Sequence, residues 1–203
     1  GTRAREWQVG GSADRIVQIC TTPVLMLRDE APFDEWLDGK RPLKALVGWD
    51  RTHTPAGILN LLQLLRRVGP VDITLLHLYW ATDEYRRLGM RGLRSIVDRD
   101  PEVERIIKRE IRREMGELPG EGALEVKVDV CFGRPSDRIT AAAEEQKHDL
   151  LIVGSHKRNL VDRLWSGSTS RAVLHRARSS VAVVTAPASG KAALPIPRLR
   201  SVL

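Results

Sequence analysis

The sequence is poor in aromatic residues, in cysteine and in long apolar runs, and each shortage excludes a class of protein. Aromatic residues make up 4% of the 203-residue chain, too few for the stacking platforms of proteins that bind single-stranded nucleic acid. No apolar run approaches the roughly 18 residues of a membrane-spanning helix, so we expect neither a nucleic-acid partner nor a membrane. Cys20 and Cys131 lie far apart and form no metal-binding motif. They predict free thiols in a reducing, cytoplasmic environment.

The chain is basic, but its basic residues are scattered. A formal net charge of +7 and a pI near 9.9 favour an anionic partner. Within residues 101–114, however, basic and acidic side chains alternate around an apolar face formed by Val103, Ile106, Ile107 and Ile111. This pattern predicts an amphipathic helix. We interpret the basic residues as a solvated surface, because they form no single stripe or patch.

Strand-like and helix-like segments alternate over residues 43–186. The predicted strands are 44–49, 71–80, 123–132, 149–154 and 180–185, and the predicted helices are 54–68, 101–117, 135–147 and 167–177. Because parallel strands need crossover connections, this order predicts an open, doubly wound five-stranded parallel sheet with helices on both faces. Residues 81–100 are rich in arginine and are predicted to be a long loop, of a kind that often forms a binding surface.

The most informative segment lies at the fourth predicted strand. Asp149 opens a short apolar run that ends at Gly154, and a loop then leads to Gly167 at the start of a helix. Glycine lets the backbone approach a bulky anion, and the free amides of a helix start favour phosphate. Ligands of open α/β sheets bind at the carboxyl ends of the strands. The segment is therefore a candidate phosphate site, although a tight connection between strand and helix has the same pattern.

This segment resembles the signature of the universal stress protein family, in which Gly-x-x-Gly, nine residues and then Gly-Ser or Gly-Thr surround the phosphates of ATP. Gly154 matches the first glycine and Gly167-Ser168 the final pair, whereas Lys157 stands in place of the second glycine. Further parts of the family's pattern are matched by Ala45 to Asp50, Ile73 to Leu78, Phe132 to Ser136 and Val181 to Val184. The resemblance covers about residues 43–186 and implies an adenine nucleotide alpha hydrolase-like fold.

The resemblance also implies a site for ATP or a related adenine nucleotide, with Mg²⁺ accompanying the nucleotide. Asp50 would read adenine, although it is equally suited to cap the helix that follows, and Leu78 would contact adenine through its backbone. The residues implied at the phosphates are Gly154, Gly167, Ser168 and Ser170. Ser168 is also placed where a helix cap belongs.

Lys157 is the main departure from the family's pattern. A side chain with four methylenes stands where the family has bare backbone. It either reaches the phosphates as a flexible cation or fills the space that they need, and we expect ATP to bind weakly at most. The sequence contains no Ser-His-Asp order, paired carboxylates or activated cysteine, so we expect a regulatory protein and not an enzyme.

The first forty residues contain a second version of the domain's end. Gly10 to Leu27 aligns without a gap on Gly167 to Val184, and internal similarity of this kind marks repeated units. We therefore expect the carboxyl-terminal part of a tandem protein: the end of a preceding domain at 1–27, a linker at 28–42, a complete domain at 43–186 and a flexible tail at 187–203. The alternative is an unrelated helix and strand. Three linker residues are expected to pin it to a domain: Phe33, Trp36 and Leu37.

Two functions of different class remain open. One is a nucleotide-binding regulatory domain in stress response. The other is an assembly module that binds no nucleotide and acts through its last edge strand, Val181 to Val184, as a homodimer or as a tandem pseudo-dimer. In the tandem arrangement, residues 23–27 would supply the partner strand in cis.

Overall fold

The structure is a computed structural model and describes residues 11–51, 56–92, 97–155 and 169–185. These ranges contain six strands and seven helices. The strands are β1 (Val24–Met26), β2 (Leu43–Gly48), β3 (Val71–Tyr79), β4 (Leu124–Val130), β5 (Leu150–Ser155) and β6 (Ser180–Thr185). The helices are α1 (Gly11–Ile19), α2 (Ala31–Leu37), α3 (Ala56–Val68), α4 (Ala81–Arg87), α5 (Pro101–Met115), α6 (Pro135–Glu145) and α7 (Thr169–Arg176).

All six strands form one sheet in the order β1-β6-β5-β2-β3-β4. The strands β2 to β6 are parallel, which confirms the predicted doubly wound α/β fold. The predicted count of five strands was one too low, because β1 joins the sheet antiparallel to β6. A short strand can be added there without a crossover, since antiparallel pairing imposes no connection of fixed hand.

Both faces of the sheet are covered by apolar helix faces, as a parallel sheet requires. One core lies under α3 and α5 and includes Leu62 and Ile107, both 0% exposed. The other lies under α1, α6 and α7 and includes Val17 and Leu174. In α5 the predicted face is confirmed except at Ile106, which is only half-buried. None of the described helices is long and apolar enough to cross a membrane.

The segment before the linker packs against β6 in the same chain. Val24 pairs with Val183, Leu25 with Ala182 and Met26 with Val181. Residues 24–26 therefore supply a partner strand in cis, as predicted for residues 23–27, and β6 is not at the edge of the sheet in this chain. An apolar strand left at an edge tends to pair with other chains, and β1 covers that edge of β6.

The predicted linker at 28–42 is partly helical. Pro32 lies in the first turn of α2, where its missing amide costs nothing, and Trp36 is buried against the core at 5% exposure. Phe33 also packs there, but the prediction for Leu37 was wrong, since it is 62% exposed. The predicted loop at 81–100 likewise begins with a helix, α4. The predicted tail at 187–203 lies outside the described residues.

Candidate functional site

The carboxyl ends of β2, β3, β5 and β6 lie along one edge of the sheet, because these strands run in the same direction. Three predicted site residues lie at this edge: Asp50 two residues after the end of β2, Leu78 in β3 and Gly154 in β5. The remaining residues predicted for the phosphate loop lie outside the described residues: Lys157, Gly167 and Ser168.

The backbone of Leu78 faces a gap in the ladder between β2 and β3. The amide of Trp49 donates to the carbonyl of Leu76 at 2.9 Å, and the next rung of a parallel ladder would run from the amide of Leu78 to the carbonyl of Trp49. Among the described residues that rung is not formed. The carbonyl of Trp49 instead accepts a hydrogen bond from Nδ1 of His77 at 2.9 Å. Within the described residues, neither the amide nor the carbonyl of Leu78 is therefore bonded to the backbone that follows β2.

His77 has a structural role at this edge. A carbonyl only accepts, so Nδ1 of His77 carries the hydrogen that it donates to Trp49. Burial lowers the pKa of His77, and the bond to the Trp49 carbonyl only partly opposes this effect. The imidazole is therefore neutral at pH 7 and fixes the backbone beside Asp50.

Asp50 is exposed and follows Trp49, whose indole is buried at 3% exposure. The amide and the carbonyl of Trp49 are both bonded to β3, so the backbone that carries the Asp50 carboxylate is fixed. The carboxylate lies on the surface of the strand-end edge. Residues 52–55 lie outside the described residues, so the alternative that Asp50 caps α3 stays a prediction.

Gly154 lies inside β5 and not in the turn that follows it, since β5 continues to Ser155. Its φ is not among the positive values of the chain. A Cβ built on Gly154 would meet a single described atom within 4 Å, Cδ1 of Ile58 at 3.8 Å, which is an ordinary contact. Neither backbone conformation nor packing within the described residues explains the glycine. Its two suggested roles, in the approach of a phosphate and in the turn after β5, stay predictions, because residues 156–168 lie outside the described residues.

Ser170 lies in the first turn of α7 and is buried at 4% exposure. Its contact with a phosphate stays a prediction, because residues 156–168, which precede α7, lie outside the described residues.

A network of ion pairs borders the edge, and the sequence did not predict it. Arg51, next to Asp50, bonds to Glu110 at 2.8 Å and to Glu114 at 3.2 Å, both on α5. Arg87 on α4 bonds to Glu110 at 2.8 Å and also to the buried Glu84. Hydrogen bonding from Arg87 lowers the pKa of Glu110 despite its partial burial. The network fixes α4 and α5 relative to the end of β2.

A concave feature of the described residues lies away from this edge. A cleft of about 360 Å³ runs beside β4 between α5 and α6, and none of the predicted site residues lines it. Its polar walls carry acids and bases in similar number. Among them, Arg99 and Arg138 both donate hydrogen bonds to Asp129. Within the described ranges, no three His, Cys, Asp or Glu side chains are grouped to hold a metal ion.

The fold and this edge are those of an open α/β domain whose strand ends form the ligand side. The sequence model of the universal stress protein family matches residues 61–185, and the chain belongs to this family. A universal stress protein of Methanocaldococcus jannaschii is 24% identical over 151 residues, which are 70% of this chain and 93% of that protein.

Two solved structures share the fold at low identity. A universal stress protein from Archaeoglobus fulgidus is 19% identical with a TM-score of 0.53, and the match covers 84% of this chain and 52% of that one. A protein of unknown function from Pseudomonas aeruginosa is 16% identical with a TM-score of 0.59, covering 88% and 57%. This chain thus spans about half the length of both.

Proposed function

We propose that the protein is a regulatory domain that binds an adenine nucleotide at the carboxyl ends of β2, β3 and β5, without catalysing a reaction on it. The observation that carries the proposal is the interrupted ladder at Leu78. The side chain of His77 donates a hydrogen bond to the carbonyl of Trp49. The amide and the carbonyl of Leu78 are thereby left as a neighbouring donor and acceptor at the strand-end edge. An adenine ring presents the complementary acceptor and donor, so it can replace the missing rung.

Two neighbours of Leu78 support the proposal. Asp50 supplies an exposed carboxylate on a fixed backbone, which suits an exocyclic amine or a ribose hydroxyl. Gly154 leaves open the space that a Cβ would occupy, at a position where the described protein has no need of a glycine. Mg²⁺ would enter with the phosphates.

Calorimetric titration with AMP, ADP and ATP, with and without Mg²⁺, tests the proposal. Asp50→Asn should weaken binding about tenfold or more, because a hydrogen bond to a charged group contributes about 1.5–3 kcal/mol. Asp34→Asn is the matched control, since Asp34 is equally exposed but lies on α2, and it should leave the affinity unchanged. Mass spectrometry of ligand released from denatured protein identifies any nucleotide that copurifies. If no nucleotide binds at about 1 mM and none copurifies, the proposal fails.

A second function, assembly, is supported by the docking of β1. We propose that residues 11–27 are the final helix and strand of a unit of the same kind as residues 43–185. Four of their apolar side chains are exposed, namely Ile16 (47%), Ile19 (75%), Leu25 (51%) and Leu27 (50%). Three of the residues aligned with them are buried: Val173 (0%), Ala182 (3%) and Val184 (4%). The apolar face that residues 11–27 expose is thus the face that the rest of a domain like residues 43–185 would cover.

Hydrogen exchange in the complete chain tests the docking itself. The amides of β1 and β6 should exchange at least about a hundredfold more slowly than those of an open chain, because they pair within a sheet. Exchange of the β1 amides at open-chain rates would mean that β1 is not docked in solution, and the assembly proposal would fail whatever the nucleotide titrations give.

A further inference from the structure

The pairing of β1 with β6 has the register that a two-fold axis demands. The gap-free alignment relates each residue of the first segment to one 157 positions later, so that Leu25 is equivalent to Ala182. In the sheet Leu25 pairs with Ala182 itself, while Val24 and Met26 pair crosswise with Val183 and Val181. A local two-fold axis therefore passes through the pair Leu25–Ala182. We call the two related elements the α1–β1 unit and the α7–β6 unit.

The same relation makes Asp14 of α1 equivalent to Arg171 of α7, and these two residues contact each other. Oδ2 of Asp14 accepts from Nη2 of Arg171 at 2.9 Å and from Nε at 3.2 Å. Oδ1 lies 2.8 Å from Nε2 of His175. Burial, which leaves Asp14 8% exposed, raises its pKa, but the hydrogen bonds from Arg171 and His175 outweigh this effect and lower it. The aspartate is thus a charged group held between two donors.

Most other contacts across the axis are apolar and alike on both sides; the exception is Arg28, which follows β1 and donates from Nη2 to the carbonyl of Leu174 at 2.6 Å. Val17 and its equivalent Leu174 are both buried and apolar, and the paired strands carry Val, Leu, Ala and Met. Such contacts serve any combination of the two units. Only the pair of Asp14 and Arg171 has opposite charges at equivalent positions.

A pairing of like units lacks this complementarity. The sequence of α7 contains no acid, so two α7–β6 units related by the same axis would place Arg171 against its own copy, with both His175 side chains beside them. The carboxylate nearest on the neighbouring helix α6, Asp137, already binds Arg176. Two α1–β1 units would likewise bring Asp14 against its copy.

We propose that Asp14 and Arg171 determine which unit docks on the α7–β6 unit: an α1–β1 unit with an acid at position 14 is accepted, and a second α7–β6 unit is rejected. The inference rests on the assembly function proposed above. The charges make the contact between the two units asymmetric, so that β6 pairs with the strand of the α1–β1 unit and not with a copy of itself.

A charge-swap cycle in the complete chain tests the proposal, with Asp14→Arg, Arg171→Asp and the double variant. Each single variant should speed hydrogen exchange of the β1 amides at least about tenfold, and the double variant should return to within about threefold of the parent. The matched control is Asp137→Arg. It removes the exposed ion pair between Asp137 of α6 and Arg176 of α7, away from the axis, and it should not change hydrogen exchange of the β1 amides. Sedimentation velocity should show a monomer for Asp14→Arg, although β1 leaves the β6 edge more often than in the parent.

Three results would overturn the inference: parent-like β1 exchange in Asp14→Arg, a double variant no better than the singles, or dimerisation of Asp14→Arg through β6. If Asp14→Arg does not fold, Asp14→Asn replaces it and should speed β1 exchange about threefold. Unprotected β1 amides in the parent would instead remove the assembly proposal, so the two failures are distinguishable.

Discussion

Replacing Gly154 with alanine should separate folding from nucleotide binding. Gly154 has the extended backbone of β5, and a Cβ there would touch only Ile58 among the described residues, at 3.8 Å. Alanine loses less conformational entropy than glycine on folding, by about 0.5–1 kcal/mol in a strand. We therefore expect Gly154→Ala to raise the free energy of unfolding by about 0.5 kcal/mol.

The effect on a bound nucleotide should have the opposite sign. If the ligand backs against the bare backbone of Gly154, an added methyl group overpacks the contact, at a cost of about 1–3 kcal/mol. This cost corresponds to affinity weaker by about fivefold to 150-fold. The variant should thus be slightly more stable than the parent and bind the nucleotide much less well.

Urea unfolding and calorimetric titration of the same preparations measure both quantities. Gly48→Ala is the matched control on the neighbouring strand, where the new Cβ would lie 3.3 Å from Cδ1 of Ile139. It should lower stability slightly and leave the affinity intact. Unchanged nucleotide affinity in Gly154→Ala would refute the close approach at Gly154, and a loss of stability would refute the account of its packing.

Three further outcomes are expected. Lys157→Gly should bind ATP more tightly than the parent in calorimetry if the side chain fills the phosphate space; weaker binding would identify Lys157 as a ligand. Val183→Lys should lower the free energy of unfolding in urea by at least about 3 kcal/mol, because Val183 is 0% exposed and pairs with Val24 on the neighbouring strand. A parent-like value would contradict that burial. Burial, with a contribution from Lys127, lowers the pKa of His148 below its usual 6.5. As the pH falls, the unfolded chain therefore binds a proton at this position before the folded chain does. The free energy of unfolding should fall as the pH drops below 6.5, and it should fall less steeply in His148→Gln.

The sequence predicts the parallel sheet well because the signals are local. Pro135 was expected near a helix start and lies at the first residue of α6. Asp100 caps α5 by accepting from the amides of Glu102 and Val103, just where the apolar periodicity begins. Such signals need only a few consecutive residues, and they locate the five parallel strands along the chain, although not their order in the sheet.

The elements that the sequence missed depend on distant partners. Arg41 links Glu35 of α2 to Asp149, 108 positions away, and Arg87 of α4 bonds to Glu110 of α5. Neither contact leaves a periodic trace in the sequence, and α2 and α4 were interpreted as linker and loop. At the candidate site, the competition between His77 and the ladder for the carbonyl of Trp49 is likewise visible only in three dimensions.

The two proposed functions use different parts of the same sheet. Nucleotide binding uses the carboxyl end of β5 at Gly154, which pairs with Val184 of β6, whereas docking uses the outer edge of β6. A single helix joins these surfaces: a Cβ on Gly57, near the start of α3, would lie 2.9 Å from Cγ1 of Val184, so the close approach of α3 to β6 requires the glycine. The same helix places Ile58 beside Gly154. Docking of β1 therefore holds the outer side of the strand on which α3 rests, next to the proposed nucleotide site.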